Sequence, residues 1–287
     1  MRRPLSGAAP DKDPHPMAVL QICIPTFERR EHLMNTLTYL DSELQGDLHD
    51  FISVRILDNG SGYDIRDAVQ SRFPYVQVDV NPENIGAPSS VVRLVREGQT
   101  EYVMVLGDDD DYRPGLLSAI RELLVRQQPD YIFLNHRAVW HDGRLALPTQ
   151  LPPGEINSLL DIFNYTGPCM MFLGANVYRR AKAIEALDCY GDDLAKAHTL
   201  PLYLSLYCGH PDNNVVIEPA TFIDNIWGRD SYSQVKTRVF AKDVQEELIR
   251  SARFGYDPHA IMVAIMCNRV YRPHYDVAPS DWLKAFA

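Results

Sequence analysis

Along the first half of the chain, short apolar runs alternate with stretches whose apolar residues recur every three to four positions. Val19-Leu20-Gln21-Ile22-Cys23-Ile24 suits a strand buried on both faces. Pro25 ends it, and Leu33, Leu37, Leu40 and Leu44 then mark one face of a helix. Ser53–Leu57 forms the next strand and runs into the turn cluster Asp58-Asn59-Gly60-Ser61-Gly62. Asp64–Phe73 reads as helix, Val76–Val80 as strand and Gly86–Gly98 as helix, with Val91, Val92, Leu94 and Val95 as its apolar residues. Tyr102–Leu106 is a fourth strand, which stops at Gly107-Asp108-Asp109-Asp110-Asp111. Pro114 is placed for the first turn of a helix whose apolar face is Leu116, Leu117, Ile120, Leu123 and Leu124. Tyr131–Leu134 is a fifth strand.

This alternation predicts an α/β fold: a mostly parallel, Rossmann-like sheet with helices on both faces. Such sheets bind ligands beyond the carboxyl ends of their strands. The polar clusters Thr26–Glu28, Asp58–Ser61, Asn84–Gly86 and Asp108–Asp111 all follow strands or close a strand-to-helix connection, so they converge on one rim.

The second half is less regular. Asp142-Gly143 between two apolar stretches predicts a hairpin. A proline-rich loop (Pro148, Pro152, Pro153) precedes a short helix near Ser158–Phe163. Phe172–Tyr178 is read as strand, Arg179–Leu187 and Ala195–Tyr207 as helices, and Val215–Ile217 as a return to the sheet. From about Ser233 the pattern is helical.

Composition narrows the function classes. Of 287 residues, 46% are hydrophobic and 23% charged, as in an ordinary globular protein. The net charge of -10 argues against sequence-independent nucleic-acid binding, which needs a basic surface. An anionic ligand would have to be met locally, by a divalent cation and a few placed arginines. The five cysteines are scattered with no CxxC pair, which predicts free thiols in a reducing cytoplasm. No apolar run reaches the ~18 residues of a membrane helix, and Met1–Met17, carrying four prolines, reads as a flexible tail rather than a signal peptide.

Four adjacent carboxylates at a strand end repel one another unless a cation neutralises them. Oxygen-only ligands favour Mg²⁺ or Mn²⁺ completed by substrate phosphates. A solvated acidic turn is the plainer alternative; the position directly after a buried strand favours the metal. Arg113 stands where an EF-hand needs glycine, and no threonine follows as in a DxDxT nucleophile. Asp58 can accept hydrogen bonds from a base or ribose, or close an Asx turn. Asn84-Ile85-Gly86 lets backbone approach a ligand, with Arg93 two turns along the helix to reach a base or phosphate. No GxGxxG follows the first strand and no GxxxxGK[ST] exists, which argues against a nicotinamide cofactor and a P-loop.

Taken in order, Ile22–Arg29, Ile56–Ser61, Asn81–Gly86 and Val105–Asp110 resemble the successive motifs of family 2 glycosyltransferases, and the LGDDD and Asn-x-Gly spelling is similar to the abequosyltransferase-like branch. The match covers about Ala18 to Asn135. The resemblance implies a GT-A fold, a nucleotide-sugar donor of UDP or dTDP type, a divalent Mg²⁺ or Mn²⁺, and inversion at the anomeric carbon. It places Pro25, Thr26, Phe27 and Glu28 around the nucleobase, with Asp58 bonding the base and Arg93 assisting. Asp108 and Asp109 would face ribose and metal, and Asp110 would hold the metal that bridges the diphosphate. Glu28 stands where asparagine is commoner, a departure from the pattern. The implied organisation is a tail (1–17), a GT-A domain (18–232, divided into nucleotide-binding 18–111 and acceptor 112–232 halves) and a helical extension (233–287).

Transfer needs a base to take the acceptor hydroxyl's proton. The resemblance puts it downstream at a helix start, where Asp192 and Asp193 stand, Asp193 being favoured; a helix N-cap is the plainer role for Asp192. His210, Asp224 and Asp230 are further candidates for the metal or diphosphate site, plain surface being the simpler role of each. The acceptor would be a hydroxyl-bearing saccharide, lipid-linked saccharide or small molecule, as in polysaccharide, lipopolysaccharide or glycoconjugate synthesis. The C-terminal segment, with Met262, Ile265, Met266, Trp282 and Phe286, is expected to pack on the core, a homodimer contact or a membrane surface at its inner face being the other roles open to it. Two rivals stand beside this reading. A nucleotidyltransferase would want a glycine-rich basic loop after the first strand, where Pro25-Thr26-Phe27-Glu28 stands. A catalytically inactive nucleotide-sugar binding protein would keep Asp108–Asp110 and lack a working base.

Overall fold

A computed structural model of the chain describes residues 18–147, 160, 162, 163, 167–190, 197–227 and 236–270. The strands are β1 Leu20–Thr26, β2 Ile52–Asp58, β3 Gln77–Val80, β4 Tyr102–Val105, β5 Asp111–Tyr112, β6 Tyr131–Trp140, β7 Leu145–Leu147, β8 Asn176–Arg179 and β9 Val215–Trp227. The helices are α1 Arg30–Glu43, α2 Leu48–Phe51, α3 Arg66–Gln70, α4 Ala87–Glu97, α5 Leu116–Gln127, α6 Arg180–Tyr190, α7 Leu200–Cys208, α8 Lys236–Arg238, α9 Val244–Arg250 and α10 Pro258–Val270.

All nine strands join one sheet in the order β3-β2-β1-β4-β8-β6-β9-β5, with β7 pairing β6. β3, β2, β1, β4, β6 and β9 run one way; β8, β5 and β7 run against them. The parallel arrangement read from the alternating first half is therefore present, with one reversed strand set into its middle. Successive residues of β1 and β4 serve opposite faces: Ile22, Ile24 and Met104 pack with Leu33, Leu37, Leu40, Leu117 and Ile120. Cys23, Val103 and Val105 pack with Leu94 of α4 and with α6, α7 and the C-terminal helices. Both faces are thus closed by helices, as the continuous apolar runs of the strands require.

Local differences from the sequence reading have physical causes. Pro114 lies outside its helix, because Gly115 takes a left-handed φ of 93° and α5 begins at Leu116. The stretch from Phe172 starts as a 3₁₀ turn, Leu173–Ala175, and becomes strand only at Asn176. Asn176 Nδ2 donates to the carbonyl of Phe172 at 2.6 Å and closes that turn. The Asp142-Gly143 hairpin forms, with Trp140 N donating to Arg144 O at 2.8 Å. The expected return at Val215–Ile217 is the start of a 13-residue strand, which slips register between Leu134 and His136 where Asn135 Nδ2 binds Pro219 O.

In the C-terminal helical region Val239, Phe240, Val244, Leu248, Tyr256 and Ile261 are buried against α6 and α7, so this part packs on the core; Trp282 and Phe286 lie outside the described residues. No helix among the described residues is long and apolar enough to cross a membrane. Cys23 and Cys208 are buried free thiols, and Cys189 is a free exposed one.

One buried acid in this region has a testable signature. Glu247 on α9 is 2% exposed and accepts from the Tyr190 and Thr199 hydroxyls and from Arg250, each at 3.3 Å. Burial pushes its carboxyl up to about 7, against the pull of Arg250. A carboxyl raised on folding holds its proton longer in the native state, so its contribution to stability declines as pH rises from the ordinary carboxylate range to about 7, and is level above. The Tm difference between Glu247→Gln and wild type should therefore grow in the variant's favour between pH 5 and pH 8. Calorimetric scans of both proteins across that range check it; a constant difference would show that Glu247 is ionised throughout.

Candidate active site

The rim at the carboxyl ends of β1, β2, β3 and β4 is assembled from the loops the sequence picked out. After β4 the chain turns back on itself at Gly107. A Cβ at that position would lie 2.4 Å from Asp110 Oδ2, so only glycine lets Asp110 fold over the turn. Tyr112 on β5 secures it by donating to Gly107 O at 2.8 Å. The acidic residues then part company. Asp108 is buried; its Oδ2 accepts from Thr26 Oγ1 at 2.6 Å and its Oδ1 from Arg29 Nη1 at 3.1 Å. The same Nη1 reaches Asp109 Oδ2 at 2.5 Å. Asp110 turns the other way, accepting at Oδ1 from Asn225 Nδ2 at 2.9 Å and from the backbone N–H of Ile226 at 3.1 Å. Asp111 opens β5 opposite Asp224 of β9.

The electrostatics of these acids differ. Burial raises the Asp108 carboxyl above its ordinary value, opposed by the Thr26 hydroxyl and the Arg29 guanidinium. Burial, and then the neighbouring Asp109, raise Asp110 to about 7, with the Asn225 amide and Ile226 N–H only partly opposing. Asp110 is a buried carboxylate with two acidic neighbours whose hydrogen bonds come from neutral groups. A buried charge without a counter-charge is costly, and a divalent cation would supply one. Among the described residues no three His, Cys, Asp or Glu side chains are arranged to hold a metal by themselves. The donor set therefore fits a cation that takes one or two carboxylates and completes its shell elsewhere.

The neighbouring loops are cross-tied. Asp58, 1% exposed, accepts at Oδ1 from Ser61 Oγ at 2.6 Å and Ser61 N at 3.3 Å, an Asx turn. Glu28, at a left-handed φ of 56°, donates its N–H to Ser61 Oγ at 2.9 Å and accepts at Oε1 from Gly62 N at 2.6 Å. Gly60 carries the chain past the next loop so closely that a Cβ would sit 2.8 Å from the Glu83 carbonyl carbon. Asn59 stitches that contact: its Oδ1 accepts from Asn81 Nδ2 at 2.8 Å and Ile85 N at 3.0 Å, and its Nδ2 donates to Asn84 Oδ1 at 2.7 Å. Gly86 caps α4, its N–H donating to Asn84 Oδ1 at 2.9 Å.

The structure thus brings Pro25, Thr26, Phe27, Glu28, Asp58, Asn84, Gly86, Asp108, Asp109 and Asp110 to one rim. Their parts differ in detail from what the resemblance implied. Thr26 directs its hydroxyl to Asp108, while Phe27 is 41% exposed. Arg93 is bound to Asn81 Oδ1 and, at 3.0 Å, to Glu97, behind the loops. Asp224 accepts from both Arg113 and Arg137. His210 packs on Tyr256 at the opposite end of the sheet. Asp192, Asp193 and Asp230 lie outside the described residues. Arg29, Asn225 and Ile226 were not singled out as site residues. A search for the cation nearest the acidic loop would have found Arg29, since it ends the first motif; Asn225 and Ile226 become visible only when β9 is known to extend past Ile217.

A sheet of this order, with polar loops after β1, β2 and β4 and helices on both faces, is the GT-A fold, the architecture of nucleotide-sugar-dependent transferases. The family model for glycosyl transferase family 2 matches residues 21–187, more than half of the chain, and the chain belongs to that family. Solved structures agree on the fold. S. aureus TarS residues 1–349 superposes with a TM-score of 0.64 at 13% identity, covering 93% of this chain and 80% of that one. The same protein in complex with UDP-GlcNAc gives 0.64 at 12% identity, over 93% and 79%. The mannosyltransferase PcManGT from Pyrobaculum calidifontis, in complex with GDP-Man and Mn²⁺, gives 0.59 at 14% identity, over 97% and 81%. No curated protein sequence matches the chain significantly.

Proposed function

We propose that this glycosyltransferase is inverting and metal-dependent and moves a sugar from a UDP- or dTDP-type donor to a hydroxyl acceptor. The observation that carries the reading is Asp110: a buried carboxylate beside Asp108 and Asp109 whose hydrogen bonds, among the described residues, come from the neutral Asn225 amide and Ile226 N–H. Two relatives in fold support a nucleotide-sugar donor: TarS, solved with UDP and with UDP-GlcNAc, and PcManGT, solved with GDP-Man and Mn²⁺. The LGDDD spelling supports the abequosyltransferase-like branch.

In this reading Phe27 offers an exposed ring to the base, and Asp58, held by Ser61, presents a carboxylate to it. Glu28 keeps the two base-side loops together through Ser61 and Gly62. Asp110 and Asp108 would hold Mg²⁺ or Mn²⁺, which when bound neutralises charge on the departing nucleoside diphosphate. Arg29 orients Asp108 and Asp109 by bonding both carboxylates. Asp193, or Asp192 beside it, takes the proton of the attacking hydroxyl. We place the nucleotide in residues 18–111 and the acceptor in 112–232, on the cytoplasmic side of a membrane or in the cytoplasm.

The test is a thermal-shift panel of UDP, dTDP, GDP and CDP with Mn²⁺ and with EDTA. A nucleotide at a hundredfold its Kd should add about 2.7 kcal/mol to stability, with Mn²⁺ only. Equal stabilisation in EDTA would remove the metal from the reading; no response to any nucleotide would remove the donor.

A further inference from the structure

Asn225 and Trp227 stand two places apart on β9, so both side chains leave the strand on one face. Asn225 Oδ1 accepts from the indole Nε1–H of Trp227 at 2.7 Å, and its Nδ2 donates to Asp110 Oδ1 at 2.9 Å. A primary amide can be turned end for end with little change of shape, and here the indole decides which way it lies. An indole N–H is a donor only, so the amide oxygen must face Trp227 and the NH₂ must face Asp110. Trp140, the register partner of Trp227, meets that ring edge to face with centroids 5.7 Å apart at 90°.

The consequence falls on Asp110. Its Oδ1 accepts from Asn225 and, at 3.1 Å, from Ile226 N–H, which occupies both lone pairs of that oxygen. Among the described residues no hydrogen bond ends on Oδ2. Oδ2 is the atom folded over the turn, where a Cβ on Gly107 would lie 2.4 Å from it. The two oxygens of one carboxylate thus have different tasks: one is tied to β9 and the other is left for a ligand. Approach through a single carboxylate oxygen suits a small octahedral cation such as Mg²⁺ or Mn²⁺. Ca²⁺ gathers more oxygens and often takes both from one carboxylate.

We propose that Asn225, turned by the Trp227 indole N–H, is a positioning residue that commits Asp110 Oδ1 to β9, leaves Oδ2 alone for the cation, and thereby favours Mg²⁺ or Mn²⁺ over Ca²⁺. This rests on the metal-dependent reading and adds which oxygen serves the ion and what sets that choice.

The test measures dissociation constants on the full chain with saturating UDP, Mn²⁺ by electron paramagnetic resonance and Ca²⁺ by competition against it. Asn225→Ala should weaken Mn²⁺ about ten- to a hundredfold, the usual cost of losing an outer-shell partner. It should weaken Ca²⁺ less, because the freed Oδ1 becomes a second ligand, so the preference for Mn²⁺ narrows. Trp227→Phe keeps an aromatic ring and removes the N–H. It should weaken Mn²⁺ in the wild-type background and add nothing in the Asn225→Ala background, as two members of one relay do. In metal-free protein, one of the three indole N–H resonances should vanish in Trp227→Phe and move in Asn225→Ala. Cooperative melting in EDTA shows which variants are folded, and Asn225→Ser replaces the alanine variant if that one is not. An unchanged Mn²⁺ constant in the Asn225 variant overturns the relay and leaves the metal reading standing. So do equal losses for Mn²⁺ and Ca²⁺, independent factors for the two substitutions, or an indole resonance that stays in place. A wild type that binds no Mn²⁺ beside UDP overturns the metal reading and the relay together.

Discussion

An Asp110→Asn variant should melt higher than the wild type in EDTA above pH 7 and at the same time lose sugar transfer by about a thousandfold or more. Both halves follow from one environment. Asp110 is folded over Gly107, beside Asp108 and Asp109, and among the described residues its hydrogen bonds come from neutral donors. Burial and then Asp109 lift its carboxyl to about 7. A carboxyl raised on folding costs stability once the pH passes its ordinary value, and the loss is complete above the folded value. Asparagine removes that charge, so the apo protein gains several degrees at pH 8 and little at pH 4. Transfer depends on the charge that the variant lacks: several kcal/mol of transition-state stabilisation correspond to about three powers of ten in rate. Melting curves in EDTA at pH 5 and pH 8, with nucleotide release in Mn²⁺, check both. A variant that transfers at near the wild-type rate would place the cation elsewhere.

The second large effect concerns the base. Asp193→Asn should lower kcat by about a hundred- to ten-thousandfold, the usual contribution of a positioned general base, and should leave the UDP–Mn²⁺ thermal shift unchanged. Asp192→Asn should cost far less, since Asp193 is the favoured base. Of the described residues on either side of the two, Tyr190 and Thr199 both donate their hydroxyls to Glu247 Oε2. Two variants compared for turnover and for nucleotide binding separate an enzyme from an inactive binding protein. If neither substitution changes kcat, the proton goes to another group.

The sequence made the first half of this molecule readable for a simple reason. Strands buried on both faces must be continuous apolar runs, and Val19–Ile24, Ser53–Leu57 and Tyr102–Leu106 are; each is followed by a polar cluster that has to lie at the same rim. What could not be read there are pairings made across long stretches of chain. Nothing around Asp111 signals a two-residue strand, because it exists only through its partner Asp224–Ile223. Nothing around Val215 signals that the strand continues past Pro219, since the irregularity is absorbed by Asn135 on β6. Motif order likewise brought the acidic loop to notice but not the groups that bond it. Arg29 ends the first motif and could have been sought, whereas Asn225 lies more than a hundred positions from the carboxylate it holds. Arg93 shows the reverse error of scale: helical spacing aims it at the rim, and the asparagine network behind the loops captures it first.

The pairing of β5 with β9 has a practical bearing on recombining this enzyme with its relatives. Residues 107–112 and 223–227 form one unit although the chain separates them widely. A chimera that keeps the donor-side third of one parent and takes everything after it from another would set a foreign strand against the acidic turn, and would forfeit activity with the donor that was meant to be retained. Exchanging specificity without that loss means cutting twice, so that both stretches travel together.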